Sequence, residues 1–182
     1  MTHSRADHPV WDPVVRIAHW SLAASIASAW FTRTGGGVWH ERLGYAALGL
    51  LLLRLVWGCV GPAYARFASF LRSPAATARY AASVMQRTDV RYLGHNPLGG
   101  WMIVALMLAT AVAAITGWLY TTDAYWGDAW MERIHETAAV ALLLLVALHV
   151  AGVVFTSIRQ RENLVLAMII GRKRAPGERD VA

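Results

Sequence analysis

The chain has 182 residues, of which 57% are hydrophobic, and its formal net charge is +6 at pH 7. This composition excludes an ordinary soluble domain, and because the basic residues flank long apolar runs, the positive charge indicates membrane topology rather than nucleic-acid binding. Cys59 is the only cysteine, which excludes a disulfide within the chain.

Four apolar segments are each long enough to cross a bilayer, since about 20 residues of helix span its ~30 Å hydrocarbon core. They lie at about 14–31, 40–60, 98–119 and 135–157, and a tail follows at 158–182. Backbone groups in lipid must be hydrogen-bonded internally, so these segments predict an all-α, integral membrane four-helix bundle that forms a single domain over 1–182. Between the second and third segments, Ser73 and Pro74 predict the start of a short amphipathic helix on the cytoplasmic membrane surface.

Basic residues are distributed unequally between the two sides of this topology. The side of the termini and the long middle loop has thirteen, whereas the other side has three. Because an excess of Lys and Arg marks the cytoplasmic side, both termini are predicted to be cytoplasmic. The thirteen are Arg5, Arg16, Arg66, Arg72, Arg79, Arg87, Arg91, Arg159, Arg161, Arg172, Lys173, Arg174 and Arg179, and the three are Arg33, Arg42 and Arg133.

Seven histidines are present, and five of them lie at or within the apolar segments. Ionisable side chains in such segments are costly to bury in lipid and are usually functional. His3 and His8 lie in the polar N-terminal segment instead, and we expect them to be exposed to solvent without a role.

The depths of four histidines follow from the alternating direction of the helices. His19 lies near the inner start of the first segment, and His40 lies at the outer start of the second. The fourth segment has His135 at its outer start and His149 fourteen residues later, which places the two on one helix face about 21 Å apart. This arrangement predicts an outer pair, His40 with His135, and an inner pair, His19 with His149.

Paired histidines in a helical bundle are typical of haem sites, because neutral imidazole is a good axial ligand for haem iron. Small residues lie within about a turn of the four histidines and would let a haem slot between helices. They are Ala23, Gly44, Ala138, Ala139 and Gly152. No Cys-x-x-Cys-His motif is present, so the haems would be held without covalent attachment. A structural subunit that binds a divalent metal such as zinc is an alternative, but ligands at two depths do not suit a compact metal site.

Several motifs resemble the bacterial cytochrome b561 and nickel–iron hydrogenase cytochrome b family. They lie at 10–20 (VWDPVVRIAHW), 40–45 (HERLGY), 94–100 (GHNPLGG), 135–136 (HE) and 148–150 (LHV), and the similarity extends over about 10–174. The resemblance implies a dihaem membrane cytochrome b of the bacterial inner membrane, with four helices and two non-covalent haems b. The family's axial histidines match His19, His40, His135 and His149. The implied activity is electron transfer in a respiratory chain, with ubiquinone or menaquinone as substrate.

Two further residues are candidate cofactor-binding groups on the inner side. Arg54 lies fourteen residues after the histidine of the second segment, where it could pair with a haem propionate or extend toward the cytoplasmic surface. His95 precedes Asn96, which predicts the cap of the third helix, and could bind a propionate, relay a proton at a quinone pocket, or only have a capping or surface role. Tyr80 and Trp57 are also candidates for the quinone pocket, although both residue types often serve as interfacial anchors.

The outer side of the chain bears on the choice of partner. Its five carboxylates and three arginines give a charge of −2, which favours a basic redox protein such as a periplasmic cytochrome c. Two other functions stay open: a superoxide:quinone oxidoreductase at the outer haem, and a cytochrome b anchor subunit of a hydrogenase-like complex. The carboxylates are Glu41, Asp123, Asp128, Glu132 and Glu136.

Overall fold

The computed structural model describes residues 7–35 and 37–181, so His3, Arg5 and Gly36 lie outside the described residues. Within these ranges the chain forms seven α-helices, one 3-10 turn and two short strands. The helices are α1 (Pro13–Phe31), α2 (Val38–Val60), α3 (Phe67–Phe70), α4 (Pro74–Met85), α5 (Pro97–Tyr120), α6 (Ala129–Gln160) and α7 (Leu164–Ile170), the turn is Ala63–Ala65, and the strands are β1 (Asp7–Pro9) and β2 (Arg172–Arg174). The all-α prediction is therefore confirmed, and the strands are an addition to it.

Three of the helices, α2, α5 and α6, are long and apolar enough to cross a membrane. Large apolar side chains on them are exposed, including Leu52 at 54%, Leu108 at 64% and Leu144 at 68%. Exposure of this extent is expected where lipid covers the protein. The first predicted span forms as the 19-residue helix α1; that this helix also crosses the membrane stays a prediction.

Side-chain caps fix where the helices begin. Ser73 and Asn96 each accept a hydrogen bond from a backbone N–H in the first turn of α4 and α5, at the positions predicted for these helix starts. The Asp128 Oδ1 atom accepts a hydrogen bond from the Met131 N–H at 2.8 Å and caps α6. Helix α6 therefore begins before the predicted span, and His135 lies in its second turn.

The chain forms two compact units, which share the long helices. The terminal unit consists of Met1–Arg16, Trp57–Ile103 and Leu148–Ala182, and the central unit consists of Ile17–Val56 and Val104–Ala147. The core of the terminal unit is a cluster of apolar side chains drawn from three distant parts of the sequence. They are Val10, Trp11, Val15 and Ala65, with Trp57, Tyr64 and Met168 packed against them.

The C-terminal tail folds onto the N-terminal segment in the terminal unit. Strand β2 pairs antiparallel with β1, with Lys173 opposite His8, and the Gly171 carbonyl accepts hydrogen bonds from two backbone N–H groups at Val10 and Trp11. Gly171 ends α7 in the left-handed conformation (φ 82°), and a Cβ there would lie 2.7 Å from the Trp11 carbonyl oxygen. Only glycine meets both conditions, so this position fixes the tail against the start of α1.

Buried ion pairs connect the middle loop to this tail. The Arg91 guanidinium donates to both Glu162 carboxylate oxygens, at 2.8 and 3.0 Å, and also forms an ion pair with Asp180. Burial alone would raise the pKa of Asp180, but hydrogen bonds from the Gly177 N–H and from Arg91 hold that pKa below its usual value. The side chains of Arg91 and Glu162 are only 7% and 8% exposed, so each charge is stabilised mainly by the other and little by water.

Lys173, the only lysine, leads to a predicted pH dependence of stability. Burial lowers the pKa of its ammonium group to about 8, whereas in the unfolded chain the value is about 10.4. Between these values the unfolded state binds more protons, so the free energy of unfolding rises with pH. Above pH ~10 the free energy of unfolding should fall again. Burial and, to a smaller extent, the Asp89 charge raise the pKa of Tyr80 to about 12, so in this range the folded state binds more protons than the unfolded state. Compared with the wild type, Lys173→Met should melt at a higher temperature at pH 7, and its melting temperature should rise less between pH 7 and pH 10.

Thermal unfolding of the two detergent-solubilised proteins across this pH range checks the prediction. Because surface groups are common to both proteins, their contribution cancels in the difference between the two melting curves. An equal rise with pH in both proteins would show that Lys173 is not its source.

Candidate haem site

The outer pair of histidines lies within the central unit, on α2 and α6. The ring centroids of His40 and His135 are 5.9 Å apart, and the ring planes are perpendicular, at 89°. A metal ion about 2 Å from one nitrogen of each imidazole would hold the centroids roughly 6 Å apart. The spacing between these two rings therefore fits a single iron bound between them.

Each of these rings is oriented by a backbone carbonyl on a neighbouring helix. The His40 Nδ1–H donates to the Ala29 carbonyl of α1, and the His135 Nδ1–H donates to the Ala113 carbonyl of α5, both at 2.9 Å. This arrangement fixes the tautomer, because it leaves the Nε2 lone pair of each ring available to a metal. The outer site is thus built by four helices, and α5 contributes to it although it contains no histidine.

Small residues leave space around the pair. A Cβ at Gly117 would lie 2.9 Å from Cε1 of His135, so glycine is needed for α5 to approach the ring this closely. A Cβ at Gly44, one turn after His40, would meet no protein atom within 4 Å. The surface of α2 at Gly44 is therefore open, as it would have to be if His40 held a flat macrocycle.

The inner pair is divided between the units. His19 lies on α1 in the central unit, half-buried, with its ring 5.1 Å from that of Trp20. His149 lies on α6 in the terminal unit and is also half-buried. Helix α6 is continuous from His135 to His149, as the fourteen-residue spacing requires. Pairing of His19 with His149 stays a prediction, as does the role of Arg54, which lies half-buried on α2.

His95 lies in the terminal unit between two aromatic rings. Its ring centroid is 4.5 Å from that of Trp11 and 4.9 Å from that of Phe70. His95 also lines a cleft of about 370 Å³. The other lining residues are Ala63, Tyr64, Ser69, Phe70, Arg72, Tyr92 and Gly94. This cleft combines aromatic walls with hydroxyl, imidazole and guanidinium groups, and His95 is the one lining residue that the sequence indicated as a candidate for a quinone pocket.

The other inner candidates have structural contacts and do not line this cleft. The Trp57 Nε1–H donates to Asp12 Oδ1 at 3.1 Å, and the same carboxylate caps α1. Tyr80 is buried in α4, with its ring 5.5 Å from that of Tyr92. His8, for which no role was expected, lies 3.2 Å from the Tyr64 hydroxyl through its Nε2 atom. Tyr64 therefore connects the cleft to strand β1.

The described histidines do not form a compact metal centre. Among residues 7–35 and 37–181, no group of three or more His, Cys, Asp or Glu side chains is placed to hold a metal ion. A structural zinc site brings four such ligands together. Two facing imidazoles are instead the arrangement expected for iron whose remaining ligands come from a macrocycle.

Carboxylates near the outer pair are accessible from solvent. All five predicted outer carboxylates belong to the central unit and are exposed. Two of the three arginines lie over indole rings: the guanidinium of Arg33 is 3.7 Å from the Trp30 ring centroid, and that of Arg42 is 5.3 Å from the Trp39 ring centroid. The exposed carboxylates and the two arginines over indole rings therefore form a charged surface on the central unit.

Comparison with known proteins assigns the chain to a family. The family model for prokaryotic cytochrome b561 matches residues 10–171, which contain all six candidate cofactor-binding residues. No curated protein and no solved structure matches the chain. The match confirms the resemblance seen in the sequence motifs, and with the three apolar helices it indicates a membrane protein that binds haem b. The chain belongs to the prokaryotic cytochrome b561 family and is a membrane b-type cytochrome that transfers electrons.

Proposed function

We propose that the chain carries electrons across the bacterial inner membrane through two haems b. His40 and His135 are the axial ligands of the outer haem, and His19 and His149 are those of the inner haem. The facing imidazoles of the outer pair, each held by a carbonyl, support this proposal most strongly. A bound haem supplies one-electron redox chemistry, and the protein holds it in place and tunes it.

The spacing of the ligands supports transfer across the membrane. His135 and His149 are about 21 Å apart along α6, which is most of the ~30 Å hydrocarbon core. In the proposed topology α1 is a fourth span, and both termini are cytoplasmic. Hydrogen bonds from Nδ1 to the carbonyls of Ala29 and Ala113 make each Nε2 a stronger donor to iron, which stabilises haem binding.

We further propose that the quinone headgroup binds in the cleft next to His95. Aromatic side chains of Phe70 and Tyr92 offer an apolar surface for a quinone ring, and the Tyr64 hydroxyl and the His95 imidazole can exchange protons with its oxygens. The hydrogen bond between Tyr64 and His8 would connect this exchange to the surface strand. Because quinone reduction takes up protons as well as electrons, a cleft with both groups is suited to it.

A cleft variant tests this site. In Tyr64→Phe/His95→Gln, quinol-dependent reduction of haem should slow by roughly 100-fold, since positioned proton-transfer groups commonly contribute that much. Haem content and the dithionite-reduced spectrum should be unchanged. Tyr45→Phe is the matched control, because it removes a tyrosine hydroxyl bonded to Glu41 on the outer side. Unaltered quinol kinetics in the cleft variant would place the quinone elsewhere.

We propose a basic periplasmic redox protein, such as a cytochrome c, as the outer partner. Neutralising two exposed carboxylates, in Asp123→Asn/Glu132→Gln, should slow electron exchange with a basic cytochrome c several-fold at low ionic strength. The difference should vanish near 1 M salt, where the screening length is about 3 Å. Stopped-flow kinetics measured at several salt concentrations would show this.

The same variant discriminates the superoxide alternative. Superoxide is an anion, so removal of two negative charges should speed its approach rather than slow it. Turnover with superoxide that rises in the variant, together with exchange with cytochrome c that does not depend on salt, would favour superoxide:quinone oxidoreductase activity.

A further inference from the structure

A groove lies at the C-terminal end of α6, entirely within the terminal unit. Its volume is about 420 Å³, and its apolar walls come from Val154, Ile158 and Val165. These side chains are 49%, 75% and 46% exposed. Arg161 and Asn163 lie at the end of the groove where α6 stops. Val154 and Ile158 line the groove from the last turns of α6, a candidate membrane span, and Val165 lines it from α7.

Arg161 adopts a backbone conformation that is unfavourable for arginine. Its φ is 50°, in the left-handed region. The Glu162 N–H donates to the Ser157 carbonyl at 3.0 Å, and the Arg161 N–H donates to the Ile158 carbonyl at 3.3 Å, which is the Schellman pattern that ends a helix. Glycine fills such positions without steric cost, as Gly171 does at the end of α7. A strained, exposed side chain at the mouth of a groove points to a role for its charge.

Arg161 forms no ion pair among the described residues of the chain. Glu162 is the only carboxylate that lines it, and both oxygens of this carboxylate accept hydrogen bonds from the buried Arg91. One of these oxygens also accepts a hydrogen bond from the Arg174 N–H at 2.7 Å. The Arg161 guanidinium therefore lies next to exposed apolar walls, and the carboxylate in the groove is already hydrogen-bonded to Arg91.

We propose that this groove binds an anionic phospholipid, with an acyl chain along Val154, Ile158 and Val165 and the phosphate at Arg161. A lipid fits better than a soluble anion, because the groove has apolar walls and two of them, Val154 and Ile158, belong to a helix suited to cross the bilayer. The arginine at the end of this helix meets the headgroup layer, where each basic residue favours anionic lipid.

The test uses the purified, haem-loaded protein in a neutral detergent, with phosphatidylglycerol or phosphatidylcholine added. Native mass spectrometry should show retention of phosphatidylglycerol in preference to phosphatidylcholine, and Arg161→Gln should weaken phosphatidylglycerol binding about fivefold. Arg87→Gln is a matched control: Arg87 is also exposed and left-handed (φ 60°) at the end of a helix, α4, but lines no part of the groove. Arg161→Gly should melt at a higher temperature than the wild type without lipid and still bind phosphatidylglycerol poorly.

Three outcomes would overturn the proposal. Equal retention of the two lipids would show that the charge does not select the ligand. An equal loss in Arg87→Gln would show a general effect of surface charge. A rise in melting temperature with inorganic phosphate that matches the rise with phosphatidylglycerol would identify a soluble-anion site instead.

Discussion

If the proposed ligation holds, His40→Ala and His135→Ala should each lower the haem content from about two per chain to about one, with loss of the same haem. The two imidazoles face each other at a spacing that fits one iron, so removal of either leaves a haem with a single protein ligand. A haemochrome assay on the purified variants measures the number lost, and a redox titration shows which midpoint disappears. Free imidazole should restore haem binding in His40→Ala, because it replaces the missing ligand.

His149→Ala provides the complementary measurement. It should remove the other haem, so that the double variant His40→Ala/His149→Ala binds almost none. Tyr45→Phe controls for mutation near the outer end of α2, and its haem content should be that of the wild type. Retention of both midpoints in His40→Ala, or loss of different haems from His40→Ala and His135→Ala, would contradict the pairing.

Arg91→Met is expected to lower the free energy of unfolding by about 3–5 kcal/mol. Removing one partner of a buried ion pair leaves an uncompensated charge, and that cost exceeds the value of the pair itself. Glu162 and Asp180 in the tail would both lose the Arg91 guanidinium, which connects them to the middle loop. Denaturant unfolding of the detergent-solubilised protein measures the change.

Two further variants separate charge from packing. Arg79→Met removes an exposed arginine from α4 and should change stability by less than about 0.5 kcal/mol. The triple variant Arg91→Met/Glu162→Leu/Asp180→Leu removes all three charges and should regain much of the loss, because apolar side chains can replace a buried ion network. If the triple variant is less stable than Arg91→Met, the hydrogen bonds outweigh the buried charges.

The sequence predicted the features that depend on residue type and spacing. Long apolar runs located α2, α5 and α6, because lipid imposes both length and composition. Ser73 and Asn96 identified two helix starts, because their short side chains can accept a hydrogen bond from a backbone N–H that the first turn of a helix leaves without a partner. His40 and His135 lie at the outer starts of two segments that run in the same direction, which predicted that they pair, and their ring centroids are 5.9 Å apart.

The sequence did not predict hydrogen bonds to backbone groups or the burial that results from tertiary packing. The carbonyls of Ala29 and Ala113 orient the histidine rings, and an alanine carbonyl has no signature in a sequence. Lys173 belongs to a basic run that would be expected to be exposed, yet it is only 6% exposed, because β2 pairs with β1 near the start of α1. Asp128 caps α6 from within a polar loop, so hydropathy placed the start of this helix too late.

The division of the chain into units has a consequence for the order of assembly during translation. Every group described at the outer site, from the Ala29 carbonyl to His135, belongs to residues that the ribosome adds before Leu148. The contacts that complete the terminal unit include the pairing of β2 with β1 and of Val181 with Tyr92, so they form only after β2 and Val181 have been synthesised. Because nascent chains fold progressively from the N-terminus, the residues of the outer site can come together before residues 172–181 are in place.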